Sequence, residues 1–233
     1  MKKLPLIGAM SAIALVAGVA VLRAGDDGAH AQSATGSVDA QASAEGERIR
    51  HEIQNDPVAP TVAPQGYDVT IVVFSDYQCP YCRKVHPALE ALLREDKKVK
   101  LVYRDWPIFG APSTEAARAA IASQYQGKHA AFNDALMQSQ GKLSSESIRA
   151  AADRAGVDWA RLQRDLTQHR TEIDQALGRT SRYAAMMGLS GTPGLLIGNY
   201  LIPGSIDLAN LREAVTLARS QGQQMQEPRP AAG

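Results

Sequence analysis

The stretch Phe74-Ser75-Asp76-Tyr77-Gln78-Cys79-Pro80-Tyr81-Cys82 contains both cysteines of a chain of 233 residues. Two thiols three positions apart can be a structural staple, half of a metal site or a reactive dithiol. A disulfide closing so short a loop constrains the unfolded chain little, because the entropic gain grows with loop length. A structural zinc site takes four ligands, commonly a second Cys pair or a His pair. The five histidines, His30, His51, His86, His129 and His169, show no such pairing. The flanking sequence favours the third option.

Ahead of the motif, Val69-Thr-Ile-Val-Val-Phe74 is a continuous β-branched and aromatic run, as expected for a strand buried on both faces. Behind it, Val85, Leu89, Leu92 and Leu93 recur at helical spacing. Val99 to Tyr103 reads as a second strand, so the opening unit is βαβ with a parallel pair and a right-handed crossover. A Cys-x-x-Cys in that setting is the pattern of a redox-active dithiol.

The next seventy or so residues are helical by periodicity and capping. The expected helices are Thr114–Tyr125, Lys128–Ser139, Glu146–Ala155, Trp159–Thr167 and a longer one, Thr171–Met187, closed by Gly188. After Thr192-Pro193, two short apolar runs flank Gly198-Asn199, a two-residue hairpin signal, and Asp207 caps a last helix, Leu208 to Ser220. The fold class is mixed α/β: a βαβ unit, a helical insertion over about residues 112–168, and a C-terminal ββα unit.

The first 31 residues fit an export segment. Lys2-Lys3 precede the apolar stretch Leu4–Leu22, and Ala29-His30-Ala31 fits a small-residue cleavage site. The stretch is also long enough to serve as an uncleaved membrane anchor. Either way the domain is expected in the periplasm or another extracytoplasmic space, where disulfides persist. Residues 32–66, rich in Ala, Ser and Pro, are expected to be a tether, with a small docking or oligomerising turn near Ile49 and Ile53. Residues 67–220 form the domain, and 221–233 are expected to fray. The formal charge of +1 gives no electrostatic reason for binding nucleic acid or a lipid surface.

Position on the helix assigns the two sulfurs different roles. Cys79 sits at the helix start just ahead of Pro80, which suits the first helical position because it has no N–H to leave unpaired. Free backbone N–H groups and the positive end of the helix dipole favour an anion there, so Cys79 is expected to be the nucleophile. Cys82 falls on the apolar stripe one turn deeper, placed to resolve a mixed disulfide.

The strand, Cys-Pro-Tyr-Cys, helix order, with Thr192-Pro193 before a hairpin and a helical block between, resembles the thioredoxin fold in its DsbA-like form. The resemblance covers about residues 67–220. Within that family "FSDYQCPYC" is most similar to the DsbA, Com1 and ScsC-like group of exported thiol:disulfide oxidoreductases, and Pro87 matches the proline inside the thioredoxin helix. The resemblance implies that Pro193 is a cis-proline against the dithiol. It also implies that Thr192, Pro193 and Tyr81 contact an extended substrate chain, and that Pro80 and Tyr81 tune the redox poise. Many such proteins carry a buried acid on the strand before the motif. Here Ile71, Val72 and Val73 stand in that region, leaving Cys82 without an obvious base. Asp76 reads as a solvated loop carboxylate that would oppose a thiolate if it approached the sulfur, and His86 as a packing residue.

The expected function is thiol:disulfide exchange that forms disulfides in unfolded or partly folded exported, periplasmic proteins through the Cys79-Pro-Tyr-Cys82 dithiol. A membrane partner would reoxidise the dithiol, and no organic cofactor is required. Disulfide isomerisation or reduction by the same fold stays open, since the Thr before Pro193 resembles isomerases more than the Val of typical DsbA oxidases. A Cu(I)-binding module is a further alternative, two thiolates suiting a soft cation. The sequence sets neither the direction of electron flow nor the oligomeric state.

Overall fold

The computed structural model describes residues 44–226, so the export segment or anchor drawn at 1–31 lies outside the described residues. Five strands form one mixed sheet in the order β1-β3-β2-β4-β5. Its centre is β2 (Val69–Ser75), buried along nearly its whole length. The β2 strand runs parallel to β3 (Val99–Asp105) and antiparallel to β4 (Gly194–Ile197). At one edge β1 (Thr61–Val62) pairs antiparallel with β3, and at the other β5 (Tyr200–Pro203) closes the expected hairpin on β4.

Two layers cover the sheet. On one face, α2 (Pro80–Glu95) and α8 (Leu208–Gln226) bury Val85, Leu89, Leu211 and Val215 against Ile71, Val73, Leu101 and Leu195. On the other, Tyr183 and Ala184 pack with Val72, Phe74 and Val102. They belong to the long helix α7 (Arg170–Met186). The expected insertion is four helices, α3 (Ala111–Ser123), α4 (His129–Met137), α5 (Ser145–Arg154) and α6 (Trp159–Gln168). They close a core of their own around Ala116, Ala120, Phe132, Leu136, Ile148 and Leu162, and both cysteines belong to it. The dithiol therefore sits where the sheet layer meets the helical block.

Two boundaries differ from the sequence expectation. The stretch 32–66, expected to be a tether, carries helical residues 44–54 (α1) and the edge strand β1, and Ile53 and Ala59 are buried. The last helix continues to Gln226 rather than stopping at Ser220. The first difference has a clear cause. Lys100 and Arg104, two of the polar residues of β3, lie an even number of positions apart and so share a face. The Lys100 Nζ donates to the Gln54 carbonyl at 2.9 Å and to Asn55 Oδ1 at 2.9 Å. Arg104 donates from Nη2 to the Ile53 carbonyl at 2.6 Å and from Nη1 to Asp56 Oδ2 at 2.7 Å. Cations thus satisfy the orphan carbonyls at the end of α1. Asp56 also receives a two-pronged contact from Arg179, both distances 2.8 Å. A pattern of apolar residues alone does not reveal such a clamp.

Candidate active site

The turn entering α2 is built by a carboxylate. Asp76 Oδ1 accepts from the Gln78 N–H at 2.8 Å and from Ser113 Oγ at 2.7 Å. Its Oδ2 accepts from the N–H groups of Ile108 at 2.7 Å and Phe109 at 3.0 Å. The backbone then tightens, the Cys79 N–H donating to the Asp76 carbonyl at 3.0 Å. Cys79 takes the cap position with extended φ −73° and ψ 118°, and Pro80 follows inside the first turn. Asn133 Oδ1 accepts from the Tyr77 hydroxyl at 3.2 Å.

Gln78, directly before Cys79, is a three-way tie. Its Nε2 donates to the Phe109 carbonyl at 3.0 Å and to Ser113 Oγ at 3.0 Å. Its Oε1 accepts from the Leu143 N–H at 3.2 Å. Arg83, just after Cys82, donates from Nε to the Tyr77 carbonyl at 2.8 Å and from Nη1 to the Gly141 carbonyl at 3.1 Å. Both loops of the helical block that border the motif are thereby pinned to it.

Both thiols are free, and both residues are buried, at 1% exposure for Cys79 and 3% for Cys82. Burial alone does not separate them; position does. The Cys79 Sγ donates to the Thr192 carbonyl at 3.2 Å, and the Thr192–Pro193 peptide bond is cis. Cys82 lies one turn inward, lining a narrow cavity with Ser75, Tyr103, Asn133 and Pro193. Burial pushes the Cys82 thiol far above its ordinary range. The nearby Asp76 backbone and Thr192 hydroxyl oppose this only in part, and the neighbouring Cys79 adds to it. A thiol at the open end of the helix beside a deeper sulfur that resists ionising is the arrangement expected of an attacking and a resolving thiol.

Residues 70–216 match the family described as a DSBA-like thioredoxin domain. This chain belongs to the DsbA-like thiol:disulfide oxidoreductases. A thioredoxin-like oxidoreductase from Silicibacter pomeroyi DSS-3 is 39% identical with a TM-score of 0.69, covering 73% of this chain and 98% of that one. A periplasmic thioredoxin-like protein from Salmonella enterica serovar Typhimurium is 27% identical with a TM-score of 0.66, covering 74% and 96%. The Na(+)/H(+) antiporter NhaA 1 of Salinispora arenicola is 30% identical over 157 residues, 66% of this chain. The DsbA-like chain spans only 24% of that antiporter's length.

The structure of this DsbA-like oxidoreductase brings Cys79, Cys82, Thr192 and Pro193 together. Tyr81 is 60% exposed beside them, and Pro80 is exposed too. Asp76 is a correction: it is buried, not solvated, and its oxygens are engaged by loop N–H groups and a hydroxyl. The sequence signal was available in the Asp-x-Gln spacing of an Asx turn, but its long-range partners were not. The His86 Nε2 lies 2.8 Å from Asp134 Oδ1, and His86 lines the Cys82 cavity.

Substituting Asp76→Asn should lower unfolding free energy by about 2 kcal/mol, because an amide group would face the Ile108 and Phe109 N–H donors. Urea unfolding measures this, and an unchanged midpoint would show that the loop re-satisfies itself.

Proposed function

We propose that this chain is an exported oxidase that introduces disulfides into unfolded or partly folded periplasmic proteins. A substrate thiolate attacks Cys79, and Cys82 leaves. A second substrate thiol then releases the oxidised product. The reading rests on one observation: Cys79 stands at the N-terminus of α2, 3.2 Å from the Thr192 carbonyl, with Cys82 a turn deeper in the core. Backbone N–H groups at that helix end favour the anion left on Cys79 in the dithiol. Stabilising the dithiol makes the disulfide the stronger oxidant.

Thr192, Pro193 and the exposed Tyr81 receive the substrate backbone, and Pro80 and Tyr81 set the poise. The export signature of residues 1–31 supports an extracytoplasmic location, as does the periplasmic Salmonella relative. Among the described residues no helix is long and apolar enough to cross a membrane. Reoxidation falls to a membrane partner.

Equilibration with glutathione tests the direction of exchange. An oxidase should show a potential above about −180 mV, the range of strong and moderate oxidants, whereas a value below about −230 mV would make the chain a reductase.

A further inference from the structure

An unfolded protein offers a surface something that a folded one hides, large apolar side chains that the native core would bury. An enzyme that acts on unfolded chains gains from a second contact of that kind beside its dithiol. The helical insertion contains a place for one.

The outer faces of α3 and α6 leave a groove of about 370 Å³ between them, within the range of pockets that hold small organic groups. On α3 its wall runs from Ala111 to Ala119, and on α6 it is Trp159, Gln163 and Leu166. Those three lie four and three positions apart, so they share one helical face. Ile148 of α5, fully buried, closes the bottom. Trp159 and Leu166 are only partly buried and pack against the insertion's core. The charged rim is already engaged. Arg118 Nε donates to Asp174 Oδ1 at 2.7 Å, and Glu115 Oε2 accepts from Ser145 Oγ at 3.0 Å. What the groove offers a newcomer is therefore apolar surface.

The groove is continuous with the active site. Gln78, directly before Cys79, donates from Nε2 to the Phe109 carbonyl at 3.0 Å, and Ala111 stands two positions beyond Phe109. Ile108 and Phe109 are themselves exposed, at 41% and 50%. The path from Cys79 through Gln78 and Phe109 to Ala111 is at most about 22 Å, which an extended chain covers in about seven residues. From Ala111 to Ala119 the helix rises about 12 Å, or about four extended residues more.

We propose that this groove takes a large apolar or aromatic side chain of the substrate, carried within about ten residues of the cysteine that reacts with Cys79. The inference rests on the oxidase reading above and names its substrate class: unfolded segments in which a cysteine and a Trp, Phe or Leu lie within that interval. A weak contact suffices. Once the substrate reaches Cys79 the second contact is intramolecular, and a short flexible connection gives it a millimolar effective concentration. The groove lies away from the sulfurs and holds the chain equally before and during exchange, so it lowers KM and leaves kcat unchanged.

The test uses the oxidised full chain and reduced peptides with one cysteine in an alanine-rich spacer, a single tryptophan being moved along either side. KM should fall about 10-fold when the tryptophan sits within about ten residues of the cysteine, the scale of burying one large apolar side chain. Gln163→Trp fills the groove from an exposed helical position and should bring the KM ratio of alanine and tryptophan peptides to about 1. Should that variant not fold, Thr114→Trp does the same from the opposite wall. A KM indifferent to the tryptophan overturns the inference, as does a ratio that survives filling the groove. A photoreactive benzophenone side chain at the best position, held on Cys82→Ser as the mixed disulfide, gives a second readout. Cross-links to α3 or α6 support the groove, and cross-links confined to other elements overturn it. A wild-type chain that oxidises none of the peptides sinks the oxidase reading and the groove with it, whereas equal oxidation of all of them sinks the groove alone.

Discussion

Replacing Cys79 with serine is expected to bring thiol–disulfide exchange down to the uncatalysed rate, while Cys82→Ser leaves Cys79 able to attack a substrate disulfide and traps the mixed disulfide. The asymmetry follows from geometry. Cys79 stands at the open end of α2, where a nucleophile meets backbone N–H groups and the Thr192 carbonyl. Cys82 is buried, and its thiol is pushed up by burial, so it acts only on a partner already bound to Cys79. Non-reducing gels and mass spectrometry read both outcomes, the first with oxidised wild type and a reduced, unfolded substrate, the second with Cys82→Ser and a substrate that carries a disulfide. A Cys79→Ser protein that still forms disulfides would reverse the assignment, as would a covalent complex that accumulates through Cys82.

The largest stability effect is expected on the opposite face of the sheet. Asp56 receives Arg104 and both prongs of Arg179, with its side chain only 4% exposed and that of Arg104 1%. Burial would raise the Asp56 carboxyl, but hydrogen bonds from Arg179, the Val58 N–H and Arg104 outweigh it and hold it at about 2, below its usual 3.8. Asp56→Ala strands a buried guanidinium and should cost about 3–5 kcal/mol. A folded-state value below the unfolded one means stability that is present above pH 3.8 and lost as pH falls toward 2. His129 adds to the same trend. The unfolded chain takes its proton near 6.5, whereas the buried ring resists until about 3. Asp105 opposes it in the same window, because burial pushes its carboxyl up to about 7 and so favours the folded state as pH falls. Wild-type stability should therefore be nearly flat between about pH 6.5 and about pH 4 and fall below that, with the acid limb missing in the Asp56→Ala variant. Thermal unfolding as a function of pH checks this profile.

The parts of this fold that were legible in the sequence are those written in apolar periodicity. The β2 strand announces itself by six consecutive apolar or β-branched residues, the helices of the insertion by their spacing and end signals, and the hairpin by Gly198-Asn199. The dithiol needed only its spacing and its strand–helix setting. What stayed hidden depends on pairs distant in sequence. Arg104 binds the carbonyl of Ile53 and the carboxylate of Asp56, so a segment whose composition reads as a linker becomes part of the domain. Asp76 looks solvated because its partners, Ile108, Phe109 and Ser113, come from a loop more than thirty positions away. Asp105 looks like an ordinary strand-end carboxylate, and only the β2–β3 register puts it opposite Ser75.

Gln78 has one more consequence. Its three hydrogen bonds end on Phe109, Ser113 and Leu143, all within the helical insertion or its borders, and Arg83 reaches Gly141 in the same way. The motif is therefore not portable. Transplanting Cys-Pro-Tyr-Cys into a smaller scaffold that lacks those loops would carry over the sulfurs and leave their scaffolding behind.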